Sequence, residues 1–194
     1  VPLKAVNGVS FSLQEGETLG IVGESGCGKS TLARAVLQLI EPSAGAVSWL
    51  GKPLNEMDRK ALTRERKDLQ IVFQDPLASL DPRLTISDSI AEPLKTHRPE
   101  MTGRERREAV VAMMQRVGLD PIMYNRYPHE LSGGQNQRVG IARAMITRPR
   151  LIICDEAVSA LDVSIQAQIV QLLKELQAEF GMSMLFISHD LSVV

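Results

Sequence analysis

The sequence predicts an α/β fold: a mostly parallel sheet core with an α-helical subdomain inserted in it. Three observations carry this. Strand-like and helix-like segments alternate along most of the 194 residues, the pattern of parallel strands joined by crossover helices. The stretch from about Gln74 to Leu131 interrupts that alternation with helical patterns alone. Leu151 to Cys154 is apolar at every position, as in a strand covered on both faces. The expected organisation is one domain over 1–194, with core segments 1–74 and 147–194 and a helical subdomain at about 75–146.

Taken in order, Val9 to Leu13 alternates apolar and polar residues and predicts a half-buried strand. Thr18 to Val22 is a short apolar run that ends in glycine and predicts a second. Ser30 to Ile40 carries Leu32, Ala35, Val36, Leu39 and Ile40 at helical spacing. Val47 to Leu50, closed by Gly51, and Leu69 to Phe73 predict further strands. Ile86 to Val117 predicts helices broken near Pro93, Pro99 and Gly103, with Val110, Met113, Met114 and Val117 on one core face. A helix is expected over Gly133–Ile146, a strand over Leu151–Cys154, a long amphipathic helix from Ile165 to Phe180 ended by Gly181, and a last strand over Met184–Ile187. The chain opens on Val1 with almost no lead-in and stops at Val194 a few residues into an expected helix, so truncation at both ends is expected.

Composition narrows the class. The chain is 44% hydrophobic and 23% charged, ordinary for a globular protein. A net charge of −1 gives no reason to expect a nucleic-acid surface. No apolar run reaches the ~18–20 residues of a membrane span, and no signal-peptide pattern opens the sequence. Cys27 and Cys154 form neither a metal spacing nor a disulfide framework, so the cytosol is the expected compartment.

Three segments carry chemistry. Gly23-x4-Gly28-Lys29-Ser30 sits where a strand ends and a helix begins, the context of a phosphate-binding loop. Its glycines let backbone N–H groups turn toward phosphate oxygens, and the helix N-terminus adds positive potential. Lys29 is expected on the β- and γ-phosphates and the Ser30 hydroxyl on Mg²⁺; Glu24, Ser25, Gly26, Cys27 and Thr31 complete the loop. A thiol at this helix N-terminus beside Lys29 is expected to be reactive, with alkylation of Cys27 blocking the site; the alternative is a small residue the loop merely tolerates. Next, Leu151 to Cys154 delivers Asp155 and Glu156 at a strand's C-terminal end, where ligands bind in open α/β sheets. Asp155 is expected to hold Mg²⁺ through water, and Glu156 to polarise an attacking water as a general base. The third is Leu131-Ser132-Gly133-Gly134-Gln135, where Ser132 and the N–H groups of Gly133 and Gly134 open a helix and offer another anion site.

With these three in this order, the chain resembles the ATP-binding cassette ATPases over essentially its whole length, which implies a RecA-like P-loop NTPase core. The resemblance implies that Leu131–Gln135 is the signature loop and that an ATP site forms only when two such subunits meet. It implies that Gln74 senses Mg²⁺ and the water, that Ser159-Ala160-Leu161-Asp162 contacts the opposite subunit, and that His189 is a switch contacting the γ-phosphate. The implied metal ligands are Ser30, Gln74 and Asp155. The finer resemblance is to the second of the paired ATPase subunits of oligopeptide/dipeptide importers. It rests on the strings beginning at Gly23, at Phe73 (Phe-Gln-Asp-Pro-Leu-Ala-Ser-Leu-Asp-Pro-Arg), at Arg126 (Arg-Tyr-Pro-His-Glu-Leu-Ser-Gly-Gly-Gln) and at Asp155. Nickel and glutathione importers of the same group share much of this, and a soluble, non-transport cassette ATPase is the other alternative.

The expected partners are therefore a second cassette ATPase, two membrane permeases and, indirectly, a solute-binding protein, with the chain at the cytoplasmic face of the membrane. Two departures stand out. The aromatic residue that stacks on adenine in the family is expected to be missing, since the first aromatic is Phe11, already inside the predicted strand. Asn136 falls at a variable position and is expected to change little.

Overall fold

The computed structural model describes residues 4–190. Four strands, β1 (Thr18–Val22), β4 (Leu69–Val72), β5 (Leu151–Asp155) and β6 (Ser183–Ser188), form an all-parallel sheet in the order β1-β6-β5-β4. The register pairs Val22 with Ser188, Asp155 with Ile187 and Cys154 with Val72. All four C-terminal ends therefore lie along one edge. A short hairpin, β2 (Ser48–Trp49) and β3 (Lys52–Pro53), stands apart from this sheet.

Both faces of the sheet are covered. Leu69, Leu151, Ile153, Leu185 and Ile187 pack with Ala33 and Leu37 around α1 (Lys29–Val36), and Trp49 of the hairpin joins them. The alternate residues Val72, Ile152, Cys154, Met184 and Phe186 pack with the helices on the opposite face. Those are α4 (Ile86–His97), α5 (Gly103–Arg116), α6 (Gly133–Met145) and α7 (Val163–Phe180). The predicted stripe of Val110, Met113, Met114 and Val117 is buried in that core, and α7 ends at Gly181, which takes φ 65. No helix of the described residues is long and apolar enough to cross a membrane.

Several local expectations are corrected. Val9–Leu13 is not a strand: Val9 and Phe11 stay exposed, only Leu13 packs on the core, and the alternation has no sheet neighbour to satisfy. The first helix stops at Val36, because Gln38 takes a left-handed φ of 52 and leaves Leu39 and Ile40 exposed. Helix α4 runs through Pro93. The proline forfeits the bond to the Ser89 carbonyl, yet Ile86, Ile90, Ala91 and Leu94 anchor the helix in the core on both sides of it. Helices α2 (Arg59–Glu65) and α3 (Pro76–Ser79) have no apolar period to announce them. They are started by Asp58, which accepts from the Ala61 N–H at 2.7 Å, and by Asp75, which accepts from Leu77 and Ala78.

Ile153 is fully buried in β5. Truncating it to alanine is expected to cost about 2–5 kcal/mol of stability, read as a lower urea midpoint with an unchanged slope.

Candidate active site

The sheet edge gathers the site. β1 delivers the loop from Gly23 to Gly28, which turns through Gly26 (φ 81) and Gly28 (φ 99) into α1. Left-handed backbone of this kind suits glycine. Space excludes a side chain too, since a Cβ at Gly28 would stand 2.1 Å from the Ala5 carbonyl oxygen. Gly28 caps α1 without any side-chain hydrogen bond, and the first turn holds no acid. The orphan N–H groups of that turn are thus left to an outside anion.

Lys29 folds back into the loop it follows. Its Nζ donates to the carbonyls of Gly23 and Glu24, each at 2.7 Å, and lies 3.4 Å from Glu156 Oε1. Cys27 is exposed, with Sγ 3.9 Å from the same Nζ. Ser30 Oγ donates to Asp155 Oδ1 at 2.8 Å. Asp155 is buried, and burial pushes its carboxyl above the ordinary range. The Ser30 hydrogen bond opposes this, the neighbouring Glu156 charge adds to it, and Arg34 and Lys29 pull the other way.

Glu156 is the first residue beyond β5 and takes φ 49. In an extended strand it would point away from Asp155; the left-handed turn brings its carboxylate to Lys29 on one side and to His189 Nδ1, 3.6 Å away, on the other. His189 follows β6 and is half exposed. Gln74, two residues past β4, reaches the same edge and is exposed. Among the described residues no hydrogen bond joins it to Ser30 or Asp155. A cleft of about 640 Å³ runs beside the loop, lined by Val6, Phe11, Cys27, Gly28 and Leu32 among others; Phe11, expected inside a strand, is exposed on its wall.

The signature residues lie elsewhere. Ser132 caps α6 by accepting from the Gln135 N–H at 3.3 Å, and Gln135 Oε1 accepts from the Ser132 N–H at 2.9 Å. Gly134 allows close approach to the start of α7, since a Cβ there would stand 2.9 Å from Ile165 Cγ2. Asp162 precedes α7 and makes no side-chain cap for it. Among the described residues no hydrogen bond or ion pair links Ser132–Gln135 or Asp162 to residues 23–31.

Two residues that position the site carried no signal of their own. Asn136, expected to change little, is fully buried; its amide donates to the Pro128 and Leu131 carbonyls at 3.0 and 3.3 Å and ties the signature loop to its helix. Arg143 donates to the Ser79 carbonyl at 2.6 Å and fixes α3 just after Gln74, and burial pushes its guanidinium pKa down.

The raised carboxyl of Asp155 fixes a sign. A carboxyl whose folded pKa lies above its unfolded one costs stability as pH rises from the ordinary carboxylate range through the raised value. Asp155→Asn keeps an oxygen for Ser30 and removes that cost. Its melting temperature at neutral pH is expected to rise, by about 2–4 °C for each kcal/mol relieved, and the gain is expected to vanish in acid. A gain that persists unchanged in acid would assign it to another cause.

The family described as ABC transporter matches residues 6–159. Over 192 residues the chain is 62% identical to the oligopeptide transport ATP-binding protein OppF of Haemophilus influenzae, covering 99% of this chain and 58% of that protein. It is 57% identical to the oligopeptide transport ATP-binding protein AppF of Bacillus subtilis, with 99% and 58% covered. The glutathione import ATP-binding protein GsiA of Pectobacterium atrosepticum is 56% identical, covering 98% of this chain and 30% of its own length. The chain thus spans well under two thirds of these relatives. Among solved structures, the dimeric ATP-binding cassette MJ0796, bound to ADP and Pi, superposes with a TM-score of 0.88 at 37% identity, covering 97% of this chain and 82% of that one. CbiO1 from Clostridium perfringens, part of the ABC transporter complex cbiONQ, gives 0.84 at 30%, with 98% and 74% covered. From its loop at Gly23 to its acids at Asp155 and Glu156, the chain belongs to the ABC transporter family.

Proposed function

We propose that this chain binds and hydrolyses ATP to energise uptake of oligopeptides or dipeptides across the cytoplasmic membrane, working as one ATPase subunit of an importer. The observation that carries the ATPase is the convergence of Lys29, the Ser30–Asp155 pair, Glu156 and His189 on one sheet edge. Similarity to OppF and AppF supports the peptide class, and similarity to GsiA favours glutathione as the second reading.

Mg²⁺ suits the residues present. The Ser30 hydroxyl and the buried Asp155 carboxylate are hard oxygen donors already 2.8 Å apart, and the carboxylate is bonded to a hydroxyl rather than to a cation. Ser30 and Asp155 would hold the ion, with Gln74 as the third ligand. An ion held there would neutralise charge on the phosphate oxygens. The chain's own residues do the rest. The N–H groups of α1 and the loop from Gly23 to Thr31 cradle the phosphates, and Lys29 exchanges its carbonyl contacts and Glu156 for phosphate oxygens. The Glu156 carboxylate, released from Lys29, orients a water and takes its proton. His189 stands beside that carboxylate to contact the terminal phosphate, and the cleft beside the loop has room for the rest of the nucleotide.

The signature of one subunit, Ser132 to Gln135, and its Asp162 complete the site of the other. Their lack of polar contact with the phosphate loop of the same chain supports this, as does the likeness to a dimeric cassette. The second cassette is a paralogue. Residues 75–146 act as a helical subdomain against the core of 1–74 and 147–194, and dock two membrane permeases at the cytoplasmic face. A solute-binding protein joins indirectly, and no nucleic acid is involved.

Glu156→Gln is expected to keep ATP binding and to lower turnover about 10²–10⁴-fold, trapping a closed dimer visible by size-exclusion chromatography. Rapid hydrolysis would remove Glu156 as the base. Captured with Mg-ATP from gently solubilised membranes, this variant is expected to bring down two permeases, a second cassette ATPase and a solute-binding protein whose ligand separates peptide from glutathione. Ribosomal or DNA-repair partners without a permease would overturn the importer.

A maleimide is expected to label Cys27 alone and to abolish nucleotide binding. Cys154 is buried and its thiol is pushed up to about 12 by that burial, so it offers no thiolate at neutral pH. Full labelling of Cys27 with unchanged ATP affinity would place the thiol outside the phosphate site.

A further inference from the structure

Glu156 holds its carboxylate in place only because its backbone is left-handed, at φ 49. A non-glycine residue keeps such a conformation only where its surroundings over-determine it. Three hydrogen bonds do so here. The Glu156 N–H donates to the Ile187 carbonyl at 3.0 Å. The Glu156 carbonyl accepts from the Ser159 N–H at 3.0 Å and from Ser159 Oγ at 3.0 Å. The two backbone bonds survive any substitution at 159 except proline, which has no N–H; the third needs a side-chain hydroxyl. Ala157 and Val158 are buried between them, so the turn is anchored in the helical-side core. The Ser159 N–H already holds the Glu156 carbonyl, and the hydroxyl narrows the remaining rotation of the peptide that carries it. That rotation sets whether Glu156 faces Lys29 and His189 or swings off the edge.

We infer that Ser159 is a positioning residue for Glu156: its hydroxyl, by holding the Glu156 carbonyl, fixes the backbone rotation that aims the carboxylate. The consequence for turnover rests on Glu156 being the base. This role lies within one chain and is separate from any contact the same loop makes with an opposite subunit. A hydroxyl that bonds the carbonyl three residues back is also a common way to close a turn, so the test must separate aim from stability.

The test uses the purified full chain. Ser159→Ala is expected to lower kcat about five- to tenfold, as for loss of one hydrogen bond, with KM for ATP unchanged, and Ser159→Thr is expected to restore it. Added to Glu156→Gln, Ser159→Ala is expected to leave the residual turnover unchanged. An unchanged kcat, or an equal further loss in the Glu156→Gln background, would overturn the role, as would a loss that merely follows a lowered melting temperature and is not rescued by threonine. A crystal structure of Ser159→Ala reads the aim without turnover: residue 156 is expected to leave the left-handed region and its carboxylate to part from His189, and an unmoved carboxylate would also overturn the inference. If Glu156→Gln hydrolyses ATP at full rate, it is the assignment of the base that fails, and the crystal readout still decides whether Ser159 aims Glu156.

Discussion

Parallel pairing sets Val22 beside Ser188, Ile187 beside Asp155 and Cys154 beside Val72, and the site depends on that register. A slip of one residue in β5 would turn its whole side-chain set to the other face. It would also exchange Asp155 and Glu156, which have different tasks. Asp155 is the last extended residue and meets Ser30 at the start of α1. Glu156 is the first residue off the strand, and its backbone reverses so that two adjacent carboxylates serve one edge instead of opposite faces. The apolar contacts that lock the register are the buried residues of β5, with Ile152 and Cys154 on one side and Leu151 and Ile153 on the other. Core packing and site geometry therefore rest on the same strand.

The charges gathered there explain why the edge is made for a liganded state. Lys29 and Asp155 are both buried and Glu156 is nearly so. Burying ionised groups costs free energy that paired contacts offset only in part. The raised carboxyl of Asp155 is the local sign of that cost. Two carboxylates face two nearby cations, Lys29 and Arg34, so the edge is close to neutral before any ligand arrives. In the proposed site a nucleoside triphosphate would add several negative charges, and a divalent cation held by Ser30 and Asp155 would offset part of them. On this view Lys29 is parked on the Gly23 and Glu24 carbonyls and Glu156, which keeps its charge satisfied until phosphate oxygens replace them.

How far the sequence was legible follows from where each signal lives. The parallel sheet was readable because Leu151 to Cys154 of β5 is apolar throughout, and α7 because its apolar stripe runs to a glycine stop at Gly181. The loop from Gly23 to Ser30 and the acids at Asp155 and Glu156 were readable because their chemistry is contiguous. Three things were not. The end of α1 depends on the left-handed turn at Gln38, which nothing in its side chain announces. The survival of α4 through Pro93 depends on tertiary burial, which overrides the local cost of proline. Asn136 and Arg143 act on carbonyls of Pro128, Leu131 and Ser79, brought to them by the fold rather than by any residue-type pattern.

Helix starts differ in what satisfies their first N–H groups. Among the described residues, α2, α3, α4, α5 and α6 are each capped by an acid, threonine or serine from their own sequence, at Asp58, Asp75, Thr85, Thr102 and Ser132. Such caps satisfy N–H groups that otherwise lose their hydrogen bonds on folding. Helices α1 and α7 lack one. At α1 the cap is Gly28, which has no side chain to give, so the free N–H groups suit phosphate. At α7 the cap residue is Asp162, a good capping type whose carboxylate is nevertheless not spent on its own helix. Its neighbour Val163 is strongly exposed, at 82%, an apolar residue left in water beside an uncommitted acid. A second subunit that closed on this end would cover Val163 and give Asp162 its partner, so the two uncapped helices are the places where the proposed site needs something the single chain does not supply.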